Sequence, residues 1–172
     1  AVVNDNQVAG TDNNLDAEAN GENSTAVVNS NELDGNNIDV LAETGTDATD
    51  SEASASGNEL DGSDIAVTAS VTDNDATANA DSNEVEGNDN SVTASASATS
   101  SDAQANGNEV DGNDNDIAAS ASDEDATATA DDNQVSGQEN TVDASAAGVG
   151  SVASTSSNDV DGNGNTVEAD AI

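Results

Sequence analysis

The side chains in this sequence that could do chemistry are carboxylates. The chain contains 37 Asp and Glu residues and no Lys, Arg, His or Cys, which gives a formal net charge of −37 at pH 7. Ten carboxylates form pairs that flank a Val or Leu: Glu32 and Asp34, Glu59 and Asp61, Glu84 and Glu86, Glu109 and Asp111, and Asp159 and Asp161. Carboxylate oxygens suit Ca²⁺. These ten residues are candidate Ca²⁺ ligands in a chain that otherwise requires no cofactor, and the competing interpretation is a solvated acidic face in a salty medium.

The missing residue types exclude several classes of function. Without Lys or Arg nothing can neutralise phosphates, so nucleic acid is excluded as a partner. No apolar run is long enough to predict membrane insertion. Acid–base or nucleophilic catalysis would have to work without imidazole, amine or thiol groups and without aromatic walls that raise a carboxyl pKa. We therefore expect that the chain is not an enzyme.

These carboxylates belong to a repeat that occurs seven times. Each repeat opens with Asn, then Val or Leu two residues later, then Gly two residues after that. The glycines are 25 residues apart except for one interval of 27. The repeats begin at Asn6, Asn31, Asn58, Asn83, Asn108, Asn133 and Asn158, and their glycines are Gly10, Gly35, Gly62, Gly87, Gly112, Gly137 and Gly162. Repeats of this length are typical of stacked solenoids.

The apolar residues that follow recur at every second position, which is typical of strands with one buried face. We align a second apolar column as Leu15, Ile38, Ile65, Val92, Ile117, Val142 and Val167. This alignment implies a turn two residues shorter in repeats two and three. The pattern predicts an all-β solenoid of seven coils in a single domain, residues 1–172, with a narrow Val and Ala core. Residues 1–5 precede the first repeat as a possible extension that could exchange a strand with another copy.

The recurring Asn predicts side-chain ladders along the stack, as in cross-β structures. A second set of Asn lies just before the second apolar column: Asn13, Asn90, Asn115, Asn140 and Asn165. The alternative for both sets is that Asn supplies turn conformations. Carboxylates stacked one rung apart, about 4.8 Å, repel by roughly 0.9 kcal/mol per pair even in water. We therefore expect salt, bound cations or protonation to offset the repulsion.

The stretch from Gly112 through Asn115 and Ile117 to Ala119, repeated closely at Gly87, Gly137 and Gly162, resembles the curlin repeat. That resemblance implies a β-solenoid and an extracellular, biofilm-type amyloid fibre. The chain departs from curlin in carrying Val or Leu where that family has a ladder Gln, and in lacking aromatic and basic residues.

The first and last coils resemble the inner ones, so their open edges predict pairing with further copies of the chain. We expect a secreted subunit of an extracellular or cell-surface fibre, and the start at Ala1-Val2-Val3 is compatible with a mature secreted chain. Two alternatives stay open: a monomeric calcium-binding adhesin spacer or ice-binding module, and a disordered acidic segment. An ice-binding or packing face would use the mild outward column of Thr68, Ser95, Ser120 and Ser145.

Overall fold

The computed structural model describes residues 1–45 and 50–172, and within them all regular secondary structure is β. The first three coils contain the strands Val2–Asn4 (β1), Gln7–Ala19 (β2), Thr25–Asn29 (β3), Glu32–Thr44 (β4), Glu52–Ser54 (β5) and Glu59–Val71 (β6). The last four coils contain Thr77–Asn79 (β7), Glu84–Glu86 (β8), Ser91–Ala96 (β9), Asp102–Gln104 (β10), Glu109–Asp111 (β11), Asp116–Ser122 (β12), Thr127–Thr129 (β13), Gln134–Gln138 (β14), Thr141–Ala147 (β15), Val152–Ser154 (β16), Asp159–Asn163 (β17) and Thr166–Ala171 (β18).

These strands form two parallel sheets, and each coil contributes to both. One sheet stacks seven short strands in the order β1-β3-β5-β7-β10-β13-β16. The other contains eleven strands, because its rung is one long strand in coils 1 to 3 and two shorter strands in coils 4 to 7. Every pairing joins a residue to its equivalent one coil away. The predicted β-solenoid of seven coils is confirmed.

Alternation along each strand sorts the side chains into a core and a surface. The pattern in β9, β12 and β15 places every second residue inside. Apart from Val28 of β3, the largest fully buried side chains are Leu, Ile and Val from the eleven-stranded sheet, and Ala fills most of the core along the seven-stranded sheet. Because stacking buries one face of every rung, side chains this small still form a continuous core.

The register corrects the alignment of the second apolar column. Ile38 pairs with Asn13, and Leu15 pairs instead with Val40. The true apolar column is therefore Leu15, Val40, Val67, Val92, Ile117, Val142 and Val167. Ile38 and Ile65 take the place of the second Asn column in coils 2 and 3, so the turn after the glycine is not shortened. The two additional residues of the longer repeat fall between Glu43 and Glu52, a segment that includes residues outside the described part of the chain.

The coils turn at three corners built on residues in the left-handed region, with φ between 54° and 83°; the first two corners occur in all seven coils and the third in the first six. The first corner contains Asp5, Ser30, Gly57, Ser82, Gly107, Asp132 and Ser157; the second, Asp12, Asn37, Asp64, Asp89, Asp114, Glu139 and Gly164; the third, Asn23, Asp50, Asp75, Ser100, Asp125 and Gly150. Asp, Asn and Gly tolerate this conformation better than other residues do. Part of the acidic composition therefore serves the turns.

Residues 2–4 belong to the stack. Val2, Val3 and Asn4 pair in register with Val27, Val28 and Asn29, so β1 is the first rung of the seven-stranded sheet and not an extension preceding it.

Candidate functional site

The first Asn column forms a hydrogen-bonded ladder through the whole stack. In each of its six steps the backbone N–H of one Asn donates to the side-chain Oδ1 of the Asn in the following coil, at 2.8–3.2 Å. In five steps the Nδ2 of the first Asn donates to the same oxygen. Asn31, Asn58, Asn83, Asn108 and Asn133 are 1% exposed. This buried Asn ladder is present as predicted. Its hydrogen bonds satisfy most of the amides that would be costly to bury alone, and within the described residues the Nδ2 atom of Asn133 is the ladder amide that is buried without a partner.

The glycine column is required by close backbone approach. A Cβ on Gly112 would lie 1.6 Å from the carbonyl oxygen of Gly87, and the other inner glycines of the column meet the preceding glycine in the same way at 1.6–1.7 Å. Their φ angles, from 125° to 156°, are also ones that L side chains rarely adopt. Gly10 shares the φ but has only the Asn13 Nδ2 atom within 4 Å, at 3.7 Å.

The second Asn ladder depends on these glycines. Asn115 Oδ1 accepts the backbone N–H of Asn90 at 2.9 Å, and Asn115 Nδ2 donates to the Gly87 carbonyl at 3.1 Å. The same two bonds recur for Asn140 and Asn165. Each Asn thus secures the backbone of the preceding coil at the second corner. The side-chain oxygen replaces a backbone acceptor there, which agrees with the break of the long strand in coils 4 to 7.

A third ladder runs along the edge of the seven-stranded sheet and was missed from the sequence. Its members are Asn4, Asn29, Ser56, Asp81, Asn106, Asp131 and Ser156. The side-chain oxygen of each of the first six accepts the backbone N–H of the next member. Burial raises the pKa of the Asp81 carboxyl, and the hydrogen bond from the Asn106 N–H offsets part of this rise. Because this position requires only an acceptor oxygen, Asn, Ser and Asp all occur there, and no single residue type marks the column in the sequence.

The ten candidate metal ligands lie in two exposed columns on the outside of the eleven-stranded sheet. Each column contains four consecutive carboxylates, in coils 2 to 5. At their ends, Gln7 Nε2 donates to Glu32 at 2.7 Å and Ser136 Oγ donates to Asp111 at 2.9 Å. Over residues 1–45 and 50–172, no group of three or more acidic side chains could hold a metal ion. The columns are rows of single carboxylates and not a metal cage.

Another outward pair of columns in the same sheet has the opposite distribution of charge. Its middle coils carry Thr68, Thr93 and Ala118 beside Ser70, Ser95 and Ser120. Its end coils carry Asp16, Glu18 and Glu43 at one end and Asp143, Glu168 and Asp170 at the other. The register corrects the predicted Ser and Thr column, because Thr68 pairs with Thr93 and it is Ser70 that pairs with Ser95. The face formed by the two columns is bounded by acids at both ends. Nearby, partial burial and then the Asp143 carboxylate raise the pKa of Asp116.

The last coil presents an uncovered edge. Val167 is 45% exposed, whereas its equivalent Val142 in the preceding coil is 1% exposed. Ile172 and Val152 are exposed as well. Within the described residues, the backbone N–H groups of Thr155, Asn158 and Asn165 have no acceptor, whereas their equivalents Ala130, Asn133 and Asn140 donate to the following coil.

The first coil carries the complementary groups. Asn6 Oδ1 accepts no hydrogen bond within the described residues, although the Oδ1 of every later Asn in its ladder does. Asn13 lies in the column of the second Asn ladder, but the next coil has Ile38 there. The Asn13 side chain makes no hydrogen bond in the described part of the chain, and its Nδ2 atom is buried without a partner. Its equivalents reach backward to the glycine of the coil before.

No helix of the described residues is long and apolar enough to cross a membrane. Comparison of the chain with protein-family models, with curated proteins and with solved structures gives no match.

Proposed function

We propose that the chain is a structural subunit that stacks head-to-tail, the first coil of one copy on the last coil of another, into an extracellular or cell-surface fibre. The observation that carries the proposal is Asn13. It is a ladder residue without a ladder in its own chain. On a second copy its equivalent partners would be Gly162 and Asn165.

Continuing the register across the junction pairs the two ends group by group. In the second ladder, Asn165 N–H would donate to Asn13 Oδ1 of the next copy, and that Asn13 Nδ2 would donate to the Gly162 carbonyl. These are the bonds that Asn140, Asn165 and Gly137 make within the chain. Each buried amide or carbonyl left without a partner costs about 1–3 kcal/mol. The pairing therefore favours one register over others.

The buried Asn ladder would continue in the same way. The backbone N–H of Asn158 would donate to Asn6 Oδ1 of the next copy, as Asn133 donates to Asn158 at 2.8 Å. The N–H of Gln7 would return to the Asn158 carbonyl, as Asp159 N–H does to Asn133 at 2.9 Å. Leu15 would cover Val167. Open parallel edges that match in both hydrogen bonds and apolar contacts are typical of association by strand addition.

The two acidic columns favour the same junction. Coil 1 carries Gln7 and Ala9 where the inner coils carry carboxylates, and coil 6 carries Gln134 and Ser136. Asp159 would then lie between Gln134 and Gln7 of the next copy, and Asp161 between Ser136 and Ala9. The repulsion between stacked carboxylates, roughly 0.9 kcal/mol per pair in water, would be absent from these columns at the junction.

A structural, non-catalytic role agrees with the composition. The chain has no Lys or Arg for trypsin-like cleavage and no thiol or imidazole for catalysis. The resemblance to the curlin repeat favours a secreted, matrix-type amyloid fibre. We keep these as parts of the proposal, with other copies of the chain as the partner and cations as the solutes that screen its charge. Bound Ca²⁺ stays a prediction, to be tested by calcium titration of the monomer.

The test is negative-stain electron microscopy of the 172-residue chain and of Asn13→Ile. Within the described residues the variant loses no hydrogen bond of its own chain, and it stacks Ile on Ile38, so its monomer should be at least as stable as the unmodified monomer. At the junction it leaves the Asn165 N–H and the Gly162 carbonyl unpaired, so the critical concentration for fibres should rise about tenfold or more.

Asn140→Ile is the control, because it removes hydrogen bonds inside the chain with Asn115 and Gly112 and should lower the melting temperature of the monomer. Uniform thin filaments of the unmodified chain, weakened by Asn13→Ile, support the proposal. Monomers alone, at every salt, pH and calcium concentration, contradict it.

A further inference from the structure

Two outward columns of the eleven-stranded sheet, one from Asp16 to Glu168 and one from Glu18 to Asp170, would place like charges at the junction. Register across two copies sets Glu168 against Asp16 of the next copy, and Asp170 against Glu18. Within the chain, Glu168 stacks on Asp143 and Glu18 stacks on Glu43. The junction would therefore gather carboxylates in both columns, at about one rung of separation.

From this layout we infer that head-to-tail assembly is gated by protonation and by salt, an inference that rests on the proposed fibre. On one side of the junction each carboxylate meets an uncharged residue, since Asp159 meets Gln7 and Asp161 meets Ala9. The other side sets carboxylate on carboxylate. At neutral pH and low ionic strength these contacts oppose docking, whereas the hydrogen bonds and apolar contacts of the same junction favour it.

No positively charged side chain relieves the repulsion between these carboxylates. The chain has no Lys, Arg or His, and the amino group of Ala1 donates to the Thr25 carbonyl in the other sheet. Asn20 Nδ2 donates to Glu18 at 3.0 Å, and this amide donor carries no positive charge. The other titratable groups on this face are also acids: Asp143, Asp116, Asp114 and Glu139 beside Glu168 and Asp170, and Asp39 and Glu43 beside Asp16 and Glu18.

The direction of the pH effect follows from which state holds more protons. Carboxylates brought together at the junction bind protons more tightly than they do in separate monomers. The fibre therefore takes up protons as it forms, and its stability rises as the pH falls from neutral toward about 4. Salt acts in the same direction, since the Debye length shortens from about 30 Å at 0.01 M to about 3 Å at 1 M.

An effect of the junction contacts can be distinguished from an effect of the total charge of the chain. Neutralising residues far from the junction removes the same number of charges without changing the contact. Glu52 and Asp102 are suited to this control, because they lie on the seven-stranded sheet and Thr77 separates their rungs.

The experiment measures the critical concentration of fibre formation by light scattering and electron microscopy at pH 4 and pH 7, each at 10 mM and 500 mM salt. The unmodified chain should assemble more readily at pH 4 or in high salt. The double variant Glu168→Gln, Asp170→Asn should assemble at pH 7 and low salt at a concentration on the order of tenfold lower than the unmodified chain. The double variant Glu52→Gln, Asp102→Asn should behave like the unmodified chain.

Equal shifts in the two double variants, or no shift in either, would overturn the gate while the fibres themselves uphold the proposed function. An unmodified chain with one critical concentration in all four conditions would overturn it too. If no variant forms fibres in any condition, the proposed function fails and the gate fails with it.

Discussion

In the column that follows the second corner, coils 2 and 3 have Ile and coils 4 to 7 have Asn. Ile38 and Ile65 are 1% and 2% exposed, inside strands that run for thirteen residues. Asn115 and Asn140 occupy the same column, and there the rung is split into two strands. One backbone path is thus stabilised either by apolar packing or by side-chain hydrogen bonds to the coil before.

Coil 1 combines the two arrangements. It has the long strand of coils 2 and 3, yet it carries Asn13, which lies in the column of the second Asn ladder and whose side chain has no hydrogen-bond partner within the described residues. We infer from this difference that the outer face of coil 1 follows coil 7 of another copy, as in the proposed fibre. In an isolated chain, Ile at this position would pack on Ile38 and would leave no amide group without a partner.

The largest effect is expected at the glycine column, which both kinds of coil share. Gly112→Ala sets a Cβ against the Gly87 carbonyl, a backbone atom that cannot move without unstacking the coils. We expect a loss of at least about 4 kcal/mol in the free energy of unfolding, measured by urea denaturation followed by circular dichroism. Gly10→Ala has the same unfavourable φ without the clash and should cost about 1–3 kcal/mol in the monomer. Equal losses would mean that φ, and not close approach, fixes these glycines.

The next effect distinguishes the two Asn ladders. Asn108→Ile removes three buried hydrogen bonds, to Asn83 and Asn133, in a column that has Asn in every coil. Asn115→Ile removes two, in a column where coils 2 and 3 already accept Ile. We expect losses of about 3–5 kcal/mol and about 1–2 kcal/mol in the free energy of unfolding. A larger loss for Asn115→Ile would contradict the comparison between the coils.

The smallest effect concerns pH and the acidic face of coils 5 to 7. Partial burial and the nearby Asp143 raise the pKa of Asp116 in the folded chain, so the folded state keeps a proton that the unfolded state has lost. The resulting contribution of Asp116 to the stability of the fold is complete below the pKa of the unfolded chain, about 4. It is lost as the pH rises through the higher pKa of the folded chain. Asp116→Asn should therefore flatten the fall in monomer stability between pH 4 and pH 7. Asp102→Asn is the matched control, and an identical change there would assign the effect to net charge.

The sequence was sufficient for the features that depend on residue identity. The buried Asn ladder and the glycine column need one residue type in every coil, so strict recurrence reveals them. The second apolar column was misaligned because Ile38 and Ile65 resemble Val92 and Ile117 chemically, whereas the backbone register places them with Asn90. The edge ladder from Asn4 to Ser156 was missed because Asn, Ser and Asp share only an acceptor oxygen.

The head-to-tail junction can be tested most directly by disulfide cross-linking, because the chain has no Cys of its own. Ala9 and Asp161 lie six rungs apart within the chain, about 29 Å, but would lie one rung apart across the junction. A disulfide requires Cα atoms within about 7 Å. The double variant Ala9→Cys, Asp161→Cys should therefore give a ladder of covalent oligomers on oxidation. Ala9→Cys, Ser136→Cys, two rungs apart across the junction, should not. Monomers with free thiols in both variants, or equal cross-linking in both, would contradict the head-to-tail stack.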